Sequence, residues 1–167
     1  MTLDEINALD REAFIAALGG IFEHSSWVAE AAFAARPFAS IASLHRAMTA
    51  AVEAARPERQ LALIQAHPDL AGKAARAGKV TSRSKKEQKG AGLDSLSDEE
   101  FKEFHSLNEE YKERFGFPFI LAVRGHDKHS ILAAFRDRLR NEPQEERAEA
   151  LAQIARIARF RLEDLVD

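Results

Sequence analysis

Ser97-Asp98-Glu99-Glu100-Phe101-Lys102-Glu103-Phe104-His105-Ser106-Leu107-Asn108-Glu109-Glu110-Tyr111-Lys112-Glu113-Arg114-Phe115-Gly116 is the stretch that sets the fold class. Serine followed by glutamate three residues later is a capping box, so a helix starts at Ser97. Behind it Phe101, Phe104, Leu107, Tyr111 and Phe115 recur at spacings of three and four and share one face. Gly116 supplies the stop. The same period appears on both sides of this helix. Upstream, Ser40 is followed by Ile41, Leu44, Met48, Val52 and Ala55, and Pro57 closes the run. Pro57 then suits the first turn of a next helix that carries Leu61, Ile64 and Gln65. Downstream, a closing helix starts near Pro143 with Leu151, Ile154, Ala158, Arg161 and Leu165 on one stripe. Phe117 to Val123 is a short apolar run with no alternating partner to pair with, so an extended entry into another buried helix near Phe119 is expected in place of a strand. If a helix starts there, its free amides can bind an anion or a carbonyl oxygen. An all-α fold follows, expected as a single compact multi-helix domain over residues 1–167.

Composition narrows the function classes. With 167 residues, 46% hydrophobic and 31% charged, the chain suits one globular domain that buries roughly 70% of its unfolded surface. There is no cysteine, which removes disulfides, thiolate nucleophiles and cysteine metal sites. The net charge of −3 argues against nucleic acid as a partner. No run of apolar residues is long enough for a membrane span, and Met1-Thr2-Leu3-Asp4-Glu5 lacks the regions of a signal peptide. Glu163-Asp164-Leu165-Val166-Asp167 is not a peroxisomal address, so a cytoplasmic protein is expected. The one shift in composition is Lys73 to Lys89, with seven basic residues and a single acid, Glu87. It reads as a loop leading into a helix near Ser84. Its charge can attract an acidic metabolite or a phosphate, but no aromatic residue is interleaved for nucleic-acid stacking.

Three residues stand out chemically. Pro68 pushes His67 out of the helical region, so His67 sits at a helix boundary. There it is either a structural turn residue or a group that both takes and gives a proton near neutral pH. The remaining histidines, at 24, 45, 105, 126 and 129, form no ligand set, although His126 and His129 can share a helix face; no metal is expected. Glu87 either offsets Lys85, Lys86 and Lys89 or orients a histidine. Arg161 lies about 20° from Ile154 and about 40° from Leu165 on a helical wheel, inside an apolar stripe. A guanidinium there needs a carboxylate, in the protein or in a ligand. The expectation is that it faces a pocket, so that its loss leaves stability nearly unchanged.

Several motifs stand in a recognisable order: Trp27-Val28-Ala29-Glu30, Arg36-Pro37-Phe38, Ala66-His67-Pro68-Asp69-Leu70-Ala71-Gly72, Ser84 with Glu87-Gln88, Ala91-Gly92-Leu93-Asp94, Leu107-Asn108 with Tyr111, Phe115-Gly116-Phe117-Pro118-Phe119-Ile120, Arg138-Leu139 with Asn141, and Arg161-Leu162. Together they resemble the 2-oxo-4-hydroxy-4-carboxy-5-ureidoimidazoline (OHCU) decarboxylase family, which acts last on the route from urate to allantoin. The resemblance implies an all-helical, cofactor-free homodimer. It makes His67 the catalytic acid, with Glu87 beside it and Arg161 reaching the substrate. It lines the pocket with Pro68, with Ser84, Lys85, Lys86, Glu87 and Gln88, and with Phe119, Ile120, Leu121, Ala122 and Val123. Two other readings stay open from the residues alone: a hydrolase of a cyclic ureide with His67 as general base, and a helical interaction module without activity.

Overall fold

Six helix starts in this chain are fixed by a side chain that accepts from a backbone amide of the first turn. Thr2 accepts from the Glu5 amide and opens α1 (Leu3–Ala8), and Asp10 accepts from Ala13 and opens α2 (Arg11–Leu18). Ser40 and Ser43 form a reciprocal cap on α4 (Ile41–Glu53), which follows α3 (Trp27–Ala32) and a 3-10 turn over Phe33–Ala35. Pro57 occupies the first turn of α5 (Pro57–Gln65), as its fixed φ favours. Each such cap contributes about 1 kcal/mol. The computed structural model describes the backbone of residues 1–167 and every side chain except that of Ala74. Among the described residues there is no strand, which agrees with the all-α expectation.

The chain divides into two compact units, Met1–Ala66 with Ile154–Asp167, and His67–Gln153. In the first, Phe14, Leu18, Leu44 and Met48 are fully buried, and Phe14 meets Phe33 edge-on at 5.4 Å. The Arg36 guanidinium covers the Phe33 ring at 3.7 Å. Helices α1 to α3 have no counterpart in the sequence reading: at six to eight residues they complete barely two turns, too few for a period to show.

The second unit holds α6 (Lys73–Arg76), α7 (Ser82–Gly90), α8 (Asp98–Phe115), α9 (Lys128–Arg138) and the beginning of α10 (Pro143–Leu165). The capping box of α8 is present, and Gly116 ends it with φ 80°, a left-handed conformation that glycine adopts without penalty. Its core is aromatic. Phe119 stacks on Phe135 with centroids 3.8 Å apart, and Tyr111 meets Phe119 edge-on at 5.4 Å.

Three expectations change here. The basic segment contains the short α6, and α7 begins at Ser82, two residues before Ser84. Phe117–Val123 does not enter a helix at Phe119; it stays irregular and buried throughout, and the next helix starts at Lys128. Two of its backbone groups, the Ile120 carbonyl and the Ala122 amide, are taken by buried side chains described below. His126 precedes α9 and donates to or accepts from Ser130 Oγ at 3.0 Å, so it shares no helix face with His129. Among the described residues no helix is long and apolar enough to cross a membrane.

Candidate active site

The loop after α5 is fixed residue by residue. Pro68 keeps His67 out of the helix, and the histidine is 8% exposed. Asp69 Oδ2 receives Lys112 Nζ at 2.8 Å, and the Leu70 carbonyl accepts from Asn108 Nδ2 at 2.9 Å. The Ala71 amide donates to Gln88 Oε1 at 2.9 Å. Three side chains from α7 and α8 thus pin three successive residues beyond His67-Pro68. The loop is also tight. Ala71 lies at φ 53°, and a Cβ on Gly72 would stand 2.7 Å from Asp69 Cβ. Gly72→Ala is therefore expected to lower stability by about 1–3 kcal/mol, as overpacking does, read from the urea midpoint.

Hydrogen bonding to Asp69 raises the Lys112 pKa, with a smaller contribution from Glu109. A raised folded-state pKa means that this pairing contributes fully below the ordinary lysine value. The contribution is lost only as pH climbs through the higher one. The loop is therefore held throughout the neutral range.

Helix α7 turns one face inward. Ser84 and Gln88 are buried and Glu87 is half-buried, while Lys85, Lys86 and Lys89 are exposed. The spacings of three and four put Ser84, Glu87 and Gln88 together and leave the lysines outside. So the structure joins the His67 loop to the Ser84–Gln88 helix through the Ala71–Gln88 bond, and Lys85 and Lys86 do not reach the buried face. With Oε1 engaged, Gln88 Nε2 is buried and has no hydrogen-bond partner among the described residues. It is a donor available to a ligand. A cavity of about 440 Å³ lined by Ala71, Val80, Lys85, Gln88, Leu93 and Phe101 reaches Gln88 but none of His67, Ser84 or Glu87. It is set aside as a reacting centre for that reason.

The segment Phe119, Ile120, Leu121, Ala122 and Val123 is wholly buried. Arg138 Nη1 donates to the Ile120 carbonyl, and the Ala122 amide donates to Gln153 Oε1 at 3.0 Å. Arg138 Nε donates to Glu146 Oε1 at 2.6 Å, and Nη2 lies against the same carboxylate without hydrogen-bond geometry. Glu146, fully buried, also receives the Tyr111 hydroxyl, and it receives Asn141 Nδ2 at 3.0 Å. Burial, then the bond to Glu146, pushes the Tyr111 phenol well up, so it remains a donor at any physiological pH. Among the described residues no group of three His, Asp or Glu side chains is placed to hold a metal ion.

Arg161 is placed otherwise than expected. It is 4% exposed, its Nη2 lies 2.8 Å from Glu23 Oε2, and its Nη1 donates to the Gly20 and Ile21 carbonyls at 3.4 and 3.3 Å. The carboxylate that the apolar stripe demanded is thus in the protein, on a residue 2% exposed.

Comparison with known proteins adds identity to this geometry. The family model for OHCU decarboxylase matches residues 7–163. The chain belongs to the OHCU decarboxylase family. It is 44% identical over 162 residues to the 2-oxo-4-hydroxy-4-carboxy-5-ureidoimidazoline decarboxylase of Haloferax volcanii, covering 97% of this chain and 94% of that protein. It is 48% identical over 165 residues to the uric acid degradation bifunctional protein PucL of Bacillus subtilis, covering 99% of this chain and 33% of that protein. The chain thus spans about a third of the length of the two Bacillus bifunctional proteins it matches. Over its whole length it superposes on the crystal structure of (S)-allantoin synthase with a TM-score of 0.79 and 35% identity, covering 54% of that chain.

For this OHCU decarboxylase family member, sequence reasoning missed the residues that support the candidate site. Asn108 falls in the buried stripe of α8 between Phe104 and Tyr111, where a polar residue signals a buried hydrogen bond. Glu146 stands four and seven residues before Ala150 and Gln153, all three buried, so the wheel argument applied to Arg161 would have found it too. Glu23 lies in a loop with no period, and nothing local marks it.

Proposed function

We propose that this protein converts OHCU to (S)-allantoin and carbon dioxide without a cofactor, with His67 as the proton donor. One observation carries the reading. His67 is a buried histidine whose following loop is pinned at Asp69, Leu70 and Ala71, in a chain that spans 94% of a relative named for this decarboxylation. Residues 1–167 act as one catalytic domain in this proposal, and two copies associate as a homodimer in the cytoplasm.

The chemistry asks little of the protein. When the C–CO₂ bond of OHCU breaks, its electron pair moves toward the adjacent C=N bond of the imidazoline ring, and nitrogen takes the charge. Neither a Schiff base nor a Lewis acid is required as the sink. One proton is then delivered to the carbon that bears the ureido group, while the hydroxyl proton leaves to form the carbonyl and the charged ring nitrogen takes a proton, so that allantoin forms with a net uptake of one proton for each carbon dioxide released. His67 gives the first proton, with Glu87 holding the ring for the transfer. Backbone groups of the 119–123 segment bind the polar edge of the substrate, and the Gln88 amide stabilises the developing charge. Protonation from a fixed histidine reaches one face, which sets one enantiomer. Arg161, with its charge met by Glu23, is assigned no step.

Freshly prepared OHCU incubated with the protein should release carbon dioxide and yield optically active allantoin, and dialysis against EDTA should leave the rate unchanged. A hydrolase of a cyclic ureide would open the ring with no carbon dioxide released, and an interaction module would match the spontaneous decay. Either outcome removes the proposal, as does chelation loss restored by zinc or manganese.

A further inference from the structure

We propose that Arg138 and Gln153 are positioning residues. They hold one edge of the Phe119–Val123 segment so that its other edge, the backbone of Phe119 and Leu121, is presented to an amide- or ureide-bearing ligand. The inference rests on the function proposed above and names the part of the site that reads the ligand's polar edge.

The two fixed groups are the Ile120 carbonyl, taken by Arg138, and the Ala122 amide, taken by Gln153 at 3.0 Å. They are two residues apart, and in extended chain the peptide groups of alternate residues turn to the same side. The residues between and before them then turn their amides and carbonyls the opposite way. Phe119 and Leu121 make no backbone hydrogen bond among the described residues, although both are buried. Buried backbone donors and acceptors are nearly always paired, so this edge calls for a partner. An N–H and a C=O carried side by side complement the C=O and N–H of a cyclic amide or ureide. This is the pairing by which a sheet edge takes an added strand.

The holding side is built to stay in one arrangement. The Arg138 fork reaches Ile120 and Glu146 at once, and its guanidinium lies 4.5 Å from the centre of the Phe119 ring. Tyr111 and Asn141 complete the Glu146 carboxylate. Lysine carries the same charge as arginine but lacks the planar fork that serves two acceptors. Gln153 is itself oriented, since its Nε2 donates to Glu149 Oε1 at 2.8 Å.

The test compares Arg138→Lys, Gln153→Leu and the exchange Glu149→Gln with Gln153→Glu, which keeps an acceptor at 153 and a donor at 149. Gln153→Leu and Arg138→Lys should each raise KM for OHCU by about ten-fold and leave kcat within about three-fold, the loss of one ligand hydrogen bond that acts equally in ground and transition states. The Kd for (S)-allantoin by calorimetry should rise in parallel, and the exchange should restore both values. If Arg138→Lys does not fold, Gln153→Leu and the exchange decide. Folded variants with unchanged KM and Kd, or with kcat alone reduced, overturn the inference. A wild-type protein that binds allantoin without turning over OHCU counts against the proposed reaction only, and the Kd series then decides. A wild-type protein that binds no allantoin defeats both.

Discussion

His67→Ala is expected to fold and to lose on the order of 10²–10⁴-fold in kcat for OHCU decarboxylation, the worth of a positioned acid or base. The expectation follows from how the side chain is presented. His67 is 8% exposed, and the loop after it is tied to Lys112, Asn108 and Gln88. None of those bonds uses the imidazole, so removing it leaves the pins in place. The same variant should also lose control of the face that is protonated, so that residual allantoin forms as a racemate. Carbon dioxide release and optical rotation measure the two effects, with circular dichroism as the check on folding. A folded variant at near-parental rate would take His67 out of the mechanism.

Arg161→Met is expected to destabilise the protein by about 3–5 kcal/mol, the usual result of removing one partner of a buried ion pair. Glu23, 2% exposed, would keep its charge with no guanidinium 2.8 Å away, and the Gly20 and Ile21 carbonyls would lose their donor. Arg161→Lys should recover part of the loss, since an ammonium restores the charge but cannot serve a carboxylate and two carbonyls in one plane. Glu23→Leu combined with Arg161→Met should be less damaging than either alone, because no charge is then stranded. Urea denaturation of the four variants measures this directly. A shift under about 1 kcal/mol for Arg161→Met would mean that the pair is not formed in solution.

The residues of the candidate site were legible to different depths. Pro68 displays His67 through a purely local rule, and spacings of three and four separate Ser84, Glu87 and Gln88 from the exposed lysines. The Ser97–Glu100 box and Gly116 bound α8 as expected, since caps are made by neighbours in sequence. Phe117–Val123 was harder. Its apolar composition spoke for burial, and it is buried, but composition is silent on what takes its peptide groups.

By itself, then, the sequence determined what depends on near neighbours: the helical class, the longer helices and their ends, a histidine held outside a helix, and the need of Arg161 for a carboxylate. The tertiary structure alone decided which carboxylate that is, 138 residues away in a loop without a period. It also decided that Asn108 serves the Leu70 carbonyl across 38 residues, and that Arg138 and Gln153 support the backbone beside Phe119. The reason is physical. A helical stripe states that a polar group will be buried and so must be paired. The identity of its partner is set by which surfaces pack together, and that information is distributed over the whole chain.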